Sequence, residues 1–278
     1  MDASMRPKLI LFDLDGTLLD DQKQLSPANR RALDRAAAQG CEIVIATGRL
    51  YHGVPRELLD LPYLRYFILM NGAMVYDRME DKVLYRAELD LTLAEKFFDY
   101  AEPLEATVDC YQNGIGWMDR RYYDHLEDYI EDPVVCRMVR SHRRPTEDFR
   151  KTVREGGSTV QKAQCYFRDL SLRPVVMDWV VRELPGAVCS VSMPTNLEIN
   201  DARATKGLGL QELCRVLDLE LKQTAAFGDG TNDLAMLQCA GIGVAMANGA
   251  AEVKEAADVI APSNGEDGVA YILNQWFA

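Results

Sequence analysis

Two aspartates one residue apart, Asp13 and Asp15, leave the apolar run Leu9-Ile10-Leu11-Phe12 and are followed at once by Gly16 and Thr17. A short unbroken apolar run reads as a strand buried on both faces, so both acids emerge at its C-terminal end. Open α/β sheets place their ligand sites at that edge, and Gly16 lets the chain turn sharply behind the pair. Carboxylates this close cannot both be ionised and dry without a cation or a shared proton. The chemistry they can do divides the labour: one acid as nucleophile, the other as proton donor, and a metal beside them. Alone, an Asp-x-Asp is more often a solvated acidic turn. What sets this one apart stands downstream.

Three more groups fall at strand ends or helix starts. Thr47 and Gly48 close an apolar strand over residues 41–46 and offer a hydroxyl and a close backbone approach. Lys206 follows Thr205 at the start of a helix and supplies a compact cation. A strand over 223–227 ends in Gly228-Asp229-Gly230-Thr231-Asn232-Asp233, with two more carboxylates and an amide. Three histidines (His52, His125 and His142) and no Cys-x-x-Cys pair argue against zinc, whereas several hard carboxylate oxygens suit Mg²⁺. Rival loop readings fail. An EF-hand starting at Asp13 needs Gly at 18 and Glu at 24, where Leu18 and Gln24 stand; Gly241-x-Gly243 precedes its strand, and no Walker A pattern exists.

The elements that must position these groups alternate between strand and helix. Ser26-Pro27 caps a helix running to about Gln39, closed by Gly40, and with the strands on either side it makes a βαβ unit. A third strand over 66–70 leads through Asn71-Gly72, read as a turn, into a hairpin of 73–76 against 82–85. From about 86 to 191 the pattern changes to helices interleaved with short strands, with 131–145 as a connection. The α/β alternation resumes with a strand at 196–200 and continues to the C-terminus. The expected fold is therefore α/β: a Rossmann-like, doubly wound parallel sheet formed by residues 1–85 with 192–278, and an inserted α+β cap over 86–191.

Composition bounds the rest. With 278 residues, 48% hydrophobic and 27% charged, the chain can bury a substantial core and is not disordered. Its formal charge of −12, with no basic stripe, argues against nucleic acid or an anionic membrane as partner. Seven scattered cysteines read as reduced, mostly buried residues of an intracellular protein. The N-terminal stretch is too short for a signal-peptide core, and no apolar run spans a membrane, so the expected location is the cytoplasm.

The ordered set Asp13-x-Asp15-x-Thr17, Thr47, Lys206 and Asp229 with Asn232 and Asp233 resembles the four motifs of the haloacid dehalogenase-like superfamily over the whole expected core. The resemblance implies that Asp13 attacks phosphorus and becomes an aspartyl phosphate while Asp15 serves as acid, then base. It further implies phosphate binding by Thr47, Gly48, Lys206 and Asn232. Mg²⁺ would be held by Asp13, the Asp15 carbonyl and Asp229, with Asp233 as a direct ligand or behind one. Asp15 separates this chain from the dehalogenases, which lack an acid there, and from transport ATPases, which carry Lys-Thr. Only 32 positions separate Asp15 from Thr47, but 159 separate Thr47 from Lys206. The insert thus lies between motifs two and three, as in the Cof-type (class IIB) sugar-phosphate phosphatases. The implied function is Mg²⁺-dependent hydrolysis of a small phosphorylated metabolite, with the insert choosing among leaving groups. The alternatives are a phosphomutase of the phosphomannomutase type and a non-catalytic binding protein on the same fold.

Overall fold

The computed structural model describes residues 6–191 and 193–278. The start of the N-terminal stretch discussed above and position 192, where the core was expected to resume, lie outside the described residues. The chain forms two compact units, one running to Arg86 and resuming at Ala204, the other comprising Ala87–Arg203.

The first unit is built on eight strands: β1 (Leu9–Phe12), β2 (Glu42–Ala46), β3 (Tyr66–Leu69), β4 (Met74–Asp77), β5 (Lys82–Arg86), β6 (Thr224–Gly228), β7 (Ile242–Met246) and β8 (Val259–Ala261). They lie in the order β8-β7-β6-β1-β2-β3-β4-β5. All pairs from β8 to β3 are parallel, and the hairpin β4–β5 extends the sheet antiparallel at one edge. Strand order reverses between β1 and β6, the place where such sheets open a crevice beyond their carboxyl ends.

All four residues of β1 are fully buried, each contributing about 1.5–3 kcal/mol of hydrophobic stabilisation. Side chains alternate across a strand. Leu9 and Leu11 pack with Leu210, Leu213, Met236 and Leu237 of the helices Lys206–Leu217 and Leu234–Cys239. On the other face Phe12 stacks on Phe227 at 4.9 Å, and Phe227 meets Trp276 of the helix Gly268–Trp276 edge-on at 5.6 Å. The Asp13 N–H still donates to the Phe227 carbonyl at 3.0 Å, so the pairing runs one residue past the strand. Asp13 therefore keeps the parity of Leu9 and Leu11, on the side of the helix that begins at Lys206.

The helix after β1 is Pro27–Ala38; the Ser26 hydroxyl accepts from the Asn29 N–H at 3.0 Å, and Gly40 follows at φ +83°. After β3 the backbone is less ordinary, since Met70, Asn71 and Gly72 take φ of +50°, +57° and +104° in succession. A Cβ on Gly72 would stand 2.2 Å from the Thr205 carbonyl oxygen, so glycine here lets the turn press against the residue that caps the Lys206 helix.

The second unit has its own core. Six strands, in the order Ala187–Ser190, Asn196–Asp201, Lys162–Tyr166, Asp109–Gln112, Ile115–Asp119, Arg144–Thr146, form a mostly antiparallel sheet. Val108, Cys110, Ala163, Cys165, Leu197 and Ile199 pack with Phe97, Phe98, Val176 and Val180 of the helices Leu91–Ala101 and Leu172–Glu183. Two sequence expectations are corrected here. The strand over 196–200 does not resume the first sheet; it pairs with Ala187–Ser190 and Lys162–Tyr166 inside the second. Alternation of Leu197 and Ile199 with Asn196, Glu198 and Asn200 fits a strand with one apolar face, unlike the all-apolar β1. The supposed connection over 131–145 contains the helix Pro133–Ser141, capped by the Asp132 carboxylate on the Val134 N–H at 2.7 Å and burying Cys136 and Val139. Its many arginines masked a three-to-four periodicity.

Gly72→Ala is expected to cost more than about 3 kcal/mol, because the added carbon meets backbone and not a movable side chain. Gly40→Ala, also at positive φ but facing open space, is expected to cost about 1 kcal/mol. Chemical denaturation of both variants checks this; equal losses would mean that the contact with Thr205 does not constrain the turn.

Candidate active site

Lys206 is the first residue of its helix, and Thr205 caps that helix by accepting the Leu208 N–H at 3.1 Å. Its side chain is wholly buried, with Nζ donating to Asp13 Oδ1 at 2.5 Å and to Asp233 Oδ1 at 2.6 Å. The other oxygen of Asp233 accepts the N–H groups of Asp229 and Gly230, both at 3.0 Å, folding the loop after β6 around it. Thr17 donates its hydroxyl to Asp229 Oδ1 at 2.8 Å and so ties the loop after β1 to the loop after β6. Gly16 makes that approach possible: a Cβ there would lie 2.4 Å from Asp229 Oδ2.

Oxygens of Asp13, Asp229 and Asp233 lie within 4.8 Å of one another. Three carboxylates against one ammonium leave the cluster formally at −2. Burial pushes the Asp13 carboxyl up, Lys206 opposes that, and Asp233 and Asp229 add to it, with a result of about 7. Burial also raises Asp229, partly offset by the Thr17 hydroxyl. Burial alone would lower the Lys206 ammonium, but Asp13 and Asp233 outweigh it and keep it protonated. A charge-deficient set of hard oxygens fits a small divalent cation such as Mg²⁺. With Asp233 already serving Lys206 and two amides, Asp13 and Asp229 are the better placed to hold one.

Asp15, the second acid of the pair, is not one of the three carboxylates of this cluster. Its carboxylate sits in the fork of Arg49, with Nε to Oδ2 at 2.8 Å and Nη2 to Oδ1 at 2.6 Å, and takes Lys23 Nζ at 2.9 Å. Burial raises this carboxyl, but the hydrogen bonds and charges of Arg49 and Lys23 bring it below the ordinary carboxylate range. Thr47 is buried at the end of β2, its hydroxyl accepting the Arg49 N–H at 3.2 Å and its carbonyl the Asn71 N–H at 3.0 Å. Gly48 leaves room for the Asn71 side chain, to whose oxygen a Cβ would come within 3.0 Å. That same oxygen accepts from Asn232 Nδ2 at 3.0 Å, so Asn232 is exposed at the rim and held by Asn71.

The structure thus gathers Asp13, Lys206, Asp229 and Asp233 into one cluster and puts Thr47, Gly48 and Asn232 on neighbouring strand ends. Sequence reasoning missed Arg49, Lys23, Asn71 and the tie made by Thr17. Arg49 had a signal, since it directly follows Thr47-Gly48, and Thr17 belongs to the first motif. Lys23 has none: it reaches Asp15 from a loop whose turn is set by the Asp20 carboxylate on the Gln22 and Gln24 N–H groups, both at 2.9 Å.

The sequence profile described as haloacid dehalogenase-like hydrolase matches residues 10–273. The chain belongs to the haloacid dehalogenase-like hydrolases. It is 31% identical over 276 residues to YxeH of Bacillus subtilis, covering 96% of this chain and 97% of that one. It is 28% identical over 290 residues to the B. subtilis phosphatase YwpJ, covering 96% and 98%. A solved haloacid dehalogenase-like hydrolase from Bacteroides thetaiotaomicron superposes with a TM-score of 0.84 at 28% identity, covering 98% of this chain and 100% of that one. Within the family the chain is a phosphoric monoester hydrolase of the Cof type, with its insert between Thr47 and Lys206. Among the described residues no helix is long and apolar enough to cross a membrane.

In metal-free buffer the folded Asp13 carboxyl keeps its proton to about pH 7, whereas an unfolded aspartate releases it near pH 3.9 (about). Between these values the folded state binds the extra proton, so this group's contribution to stability falls as pH rises from about 4 to 7 and is level above that. Asp13→Asn should flatten that slope and be at least as stable as the parent at pH 8. Denaturation in chelator across this range checks it, and a loss above about 2 kcal/mol at pH 8 would contradict it.

Proposed function

We propose that the protein hydrolyses a small phosphorylated metabolite, such as a sugar phosphate, through an aspartyl phosphate on Asp13. The observation that carries this reading is the buried Lys206 ammonium on Asp13, at the carboxyl edge of the sheet where the strand order reverses. It fixes the direction of one carboxylate oxygen and offsets the charge that gathers on a phosphoryl group in transfer. Support for the substrate class comes from a relative 28% identical over 282 residues, covering 97% of this chain and 95% of its own. That relative is named 5-amino-6-(5-phospho-D-ribitylamino)uracil phosphatase YcsE, of B. subtilis.

In the first step a carboxylate oxygen of Asp13 bonds to phosphorus as the ester P–O bond breaks. The electron pair goes to the leaving oxygen, which takes a proton from Asp15 and departs as an alcohol. In the second, water attacks the phosphorus, Asp15 takes back a proton, and Asp13 is released with inorganic phosphate. Thr47, the backbone at Gly48, Lys206 and Asn232 hold the phosphoryl oxygens. Asp13, the Asp15 carbonyl and Asp229 would hold Mg²⁺, with Asp233 behind them. When bound, the cation supplies positive charge against the phosphoryl oxygens. The unit Ala87–Arg203 contains none of these groups, and we assign it the choice of leaving group.

Asp13→Asn should fold and lose kcat on p-nitrophenyl phosphate by roughly 10³-fold or more. Retention of a tenth of the parent kcat would overturn the covalent route. Chelation should abolish turnover and Mg²⁺ should restore it with no bisphosphate added. Mg²⁺ should also raise the melting temperature of the parent, and less that of Asp229→Asn. Activity that persists in chelator, or that requires a bisphosphate activator, would reject this assignment.

A further inference from the structure

The mechanism just given asks Asp15 to present a carboxyl group to the leaving oxygen, yet in this structure both of its oxygens are engaged by cations. Arg49 grips it with two parallel bonds at 2.8 and 2.6 Å, and Lys23 adds a third contact at 2.9 Å. Two different loops deliver these cations. Arg49 follows the Thr47 turn, with its carbonyl held by the Met70 N–H at 3.1 Å and its remaining Nη1 donating to the Gly53 carbonyl at 2.9 Å. Lys23 is placed by the Asp20 turn in a left-handed conformation, φ +63°. With the fork and the ammonium on it, the carboxylate has three of its about four acceptor sites taken and little freedom to turn. The Asp15–Arg49 pair is only partly buried, the two side chains being 39% and 28% exposed, so it can exchange partners at small cost.

We propose that Arg49 is a phosphate-binding residue that releases Asp15 when substrate arrives. Its backbone N–H already bonds the Thr47 hydroxyl at 3.2 Å, which places its chain at the rim where the phosphoryl group is to bind. A phosphate monoester dianion presents the same planar pair of oxygens as a carboxylate, with twice the charge, and competes well for the guanidinium. The exchange couples occupation of the phosphate site to release of the acid, and the empty enzyme keeps Asp15 withdrawn. The inference rests on the phosphate site proposed above.

The test is a double-mutant cycle read by calorimetric titration of inorganic phosphate into the full-length protein with saturating Mg²⁺. If Asp15 competes with phosphate for Arg49, Asp15→Asn should tighten phosphate binding by about tenfold and Arg49→Gln should weaken it by about tenfold. In the double variant the gain from Asp15→Asn should vanish. Arg49→Lys, which keeps the charge without the fork, should fall between and guards against a folding defect in Arg49→Gln. If the Asp15→Asn gain persists in the Arg49→Gln background, it is simple removal of charge and the coupling is wrong. Phosphate affinity unchanged by either Arg49 variant would equally overturn it. The acid role of Asp15 is read separately. Asp15→Asn should lose far more kcat/KM, which reads the transfer to Asp13 and not the later hydrolysis, on an alkyl phosphate, whose leaving group needs a proton, than on p-nitrophenyl phosphate. Equal losses there would refute the acid role and leave the cycle to judge the coupling alone.

Discussion

A single buried ammonium holds the carboxyl edge of the first unit's sheet together. Lys206 has no exposure and bridges Asp13, at the end of the central strand, to Asp233, which organises the loop after the neighbouring strand β6. Taking a lysine fully out of water costs several kcal/mol and is sustained only where carboxylates replace the lost hydration. Here two do, and each carries its own support: Asp13 the pairing of its N–H with Phe227, Asp233 the amides of Asp229 and Gly230. The same interaction leaves an excess of negative charge, which suits a dication.

What places Lys206 there is the parity of β1. Leu9, Leu11 and Asp13 share one face of the sheet, and that face is covered by the helix that Lys206 begins. A shift of one residue in the register of β1 would send Asp13 to the opposite face, toward Phe227 and Trp276 and away from Lys206. The apolar packing of the sheet is therefore also what aims the carboxylate.

Much of this was legible in the sequence because it is written in short-range signals. An unbroken apolar tetrapeptide ending in acids, a Ser-Pro helix start and a Gly-Asp-Gly turn each have one physical reading, and each falls where it was expected within a residue or two. Two kinds of feature were not legible. The strand Asn196–Asp201 alternates apolar and polar residues, unlike β1, but that pattern does not name its partners, which are chosen by tertiary contact and place it in the second unit and not the first. Contacts among polar side chains of distant loops were equally silent. Asn71 looked like a turn former, which it is, at φ +57°, but the same conformation turns its amide toward Asn232 and Gly48. Arg49 directly follows Thr47-Gly48, which marks its place at the rim, but nothing local says that it and Lys23 meet on Asp15 from separate loops.

The split of the first unit also has a consequence for how the chain comes to be folded. β1 gains one neighbour, β2, about thirty residues after it is made, but its other neighbour, β6, begins at Thr224, beyond the whole of Ala87–Arg203. On the ribosome the insert is complete, with its own sheet and core, while the sheet that carries Asp13 still lacks three of its strands and one of its covering layers. The apolar flank of β1 must wait for it exposed. The nascent chain therefore passes through a stage in which the later-encoded unit is finished and the earlier one is a half-sheet with an open, strongly apolar edge. An edge of that kind is open to pairing with another chain until β6 covers it.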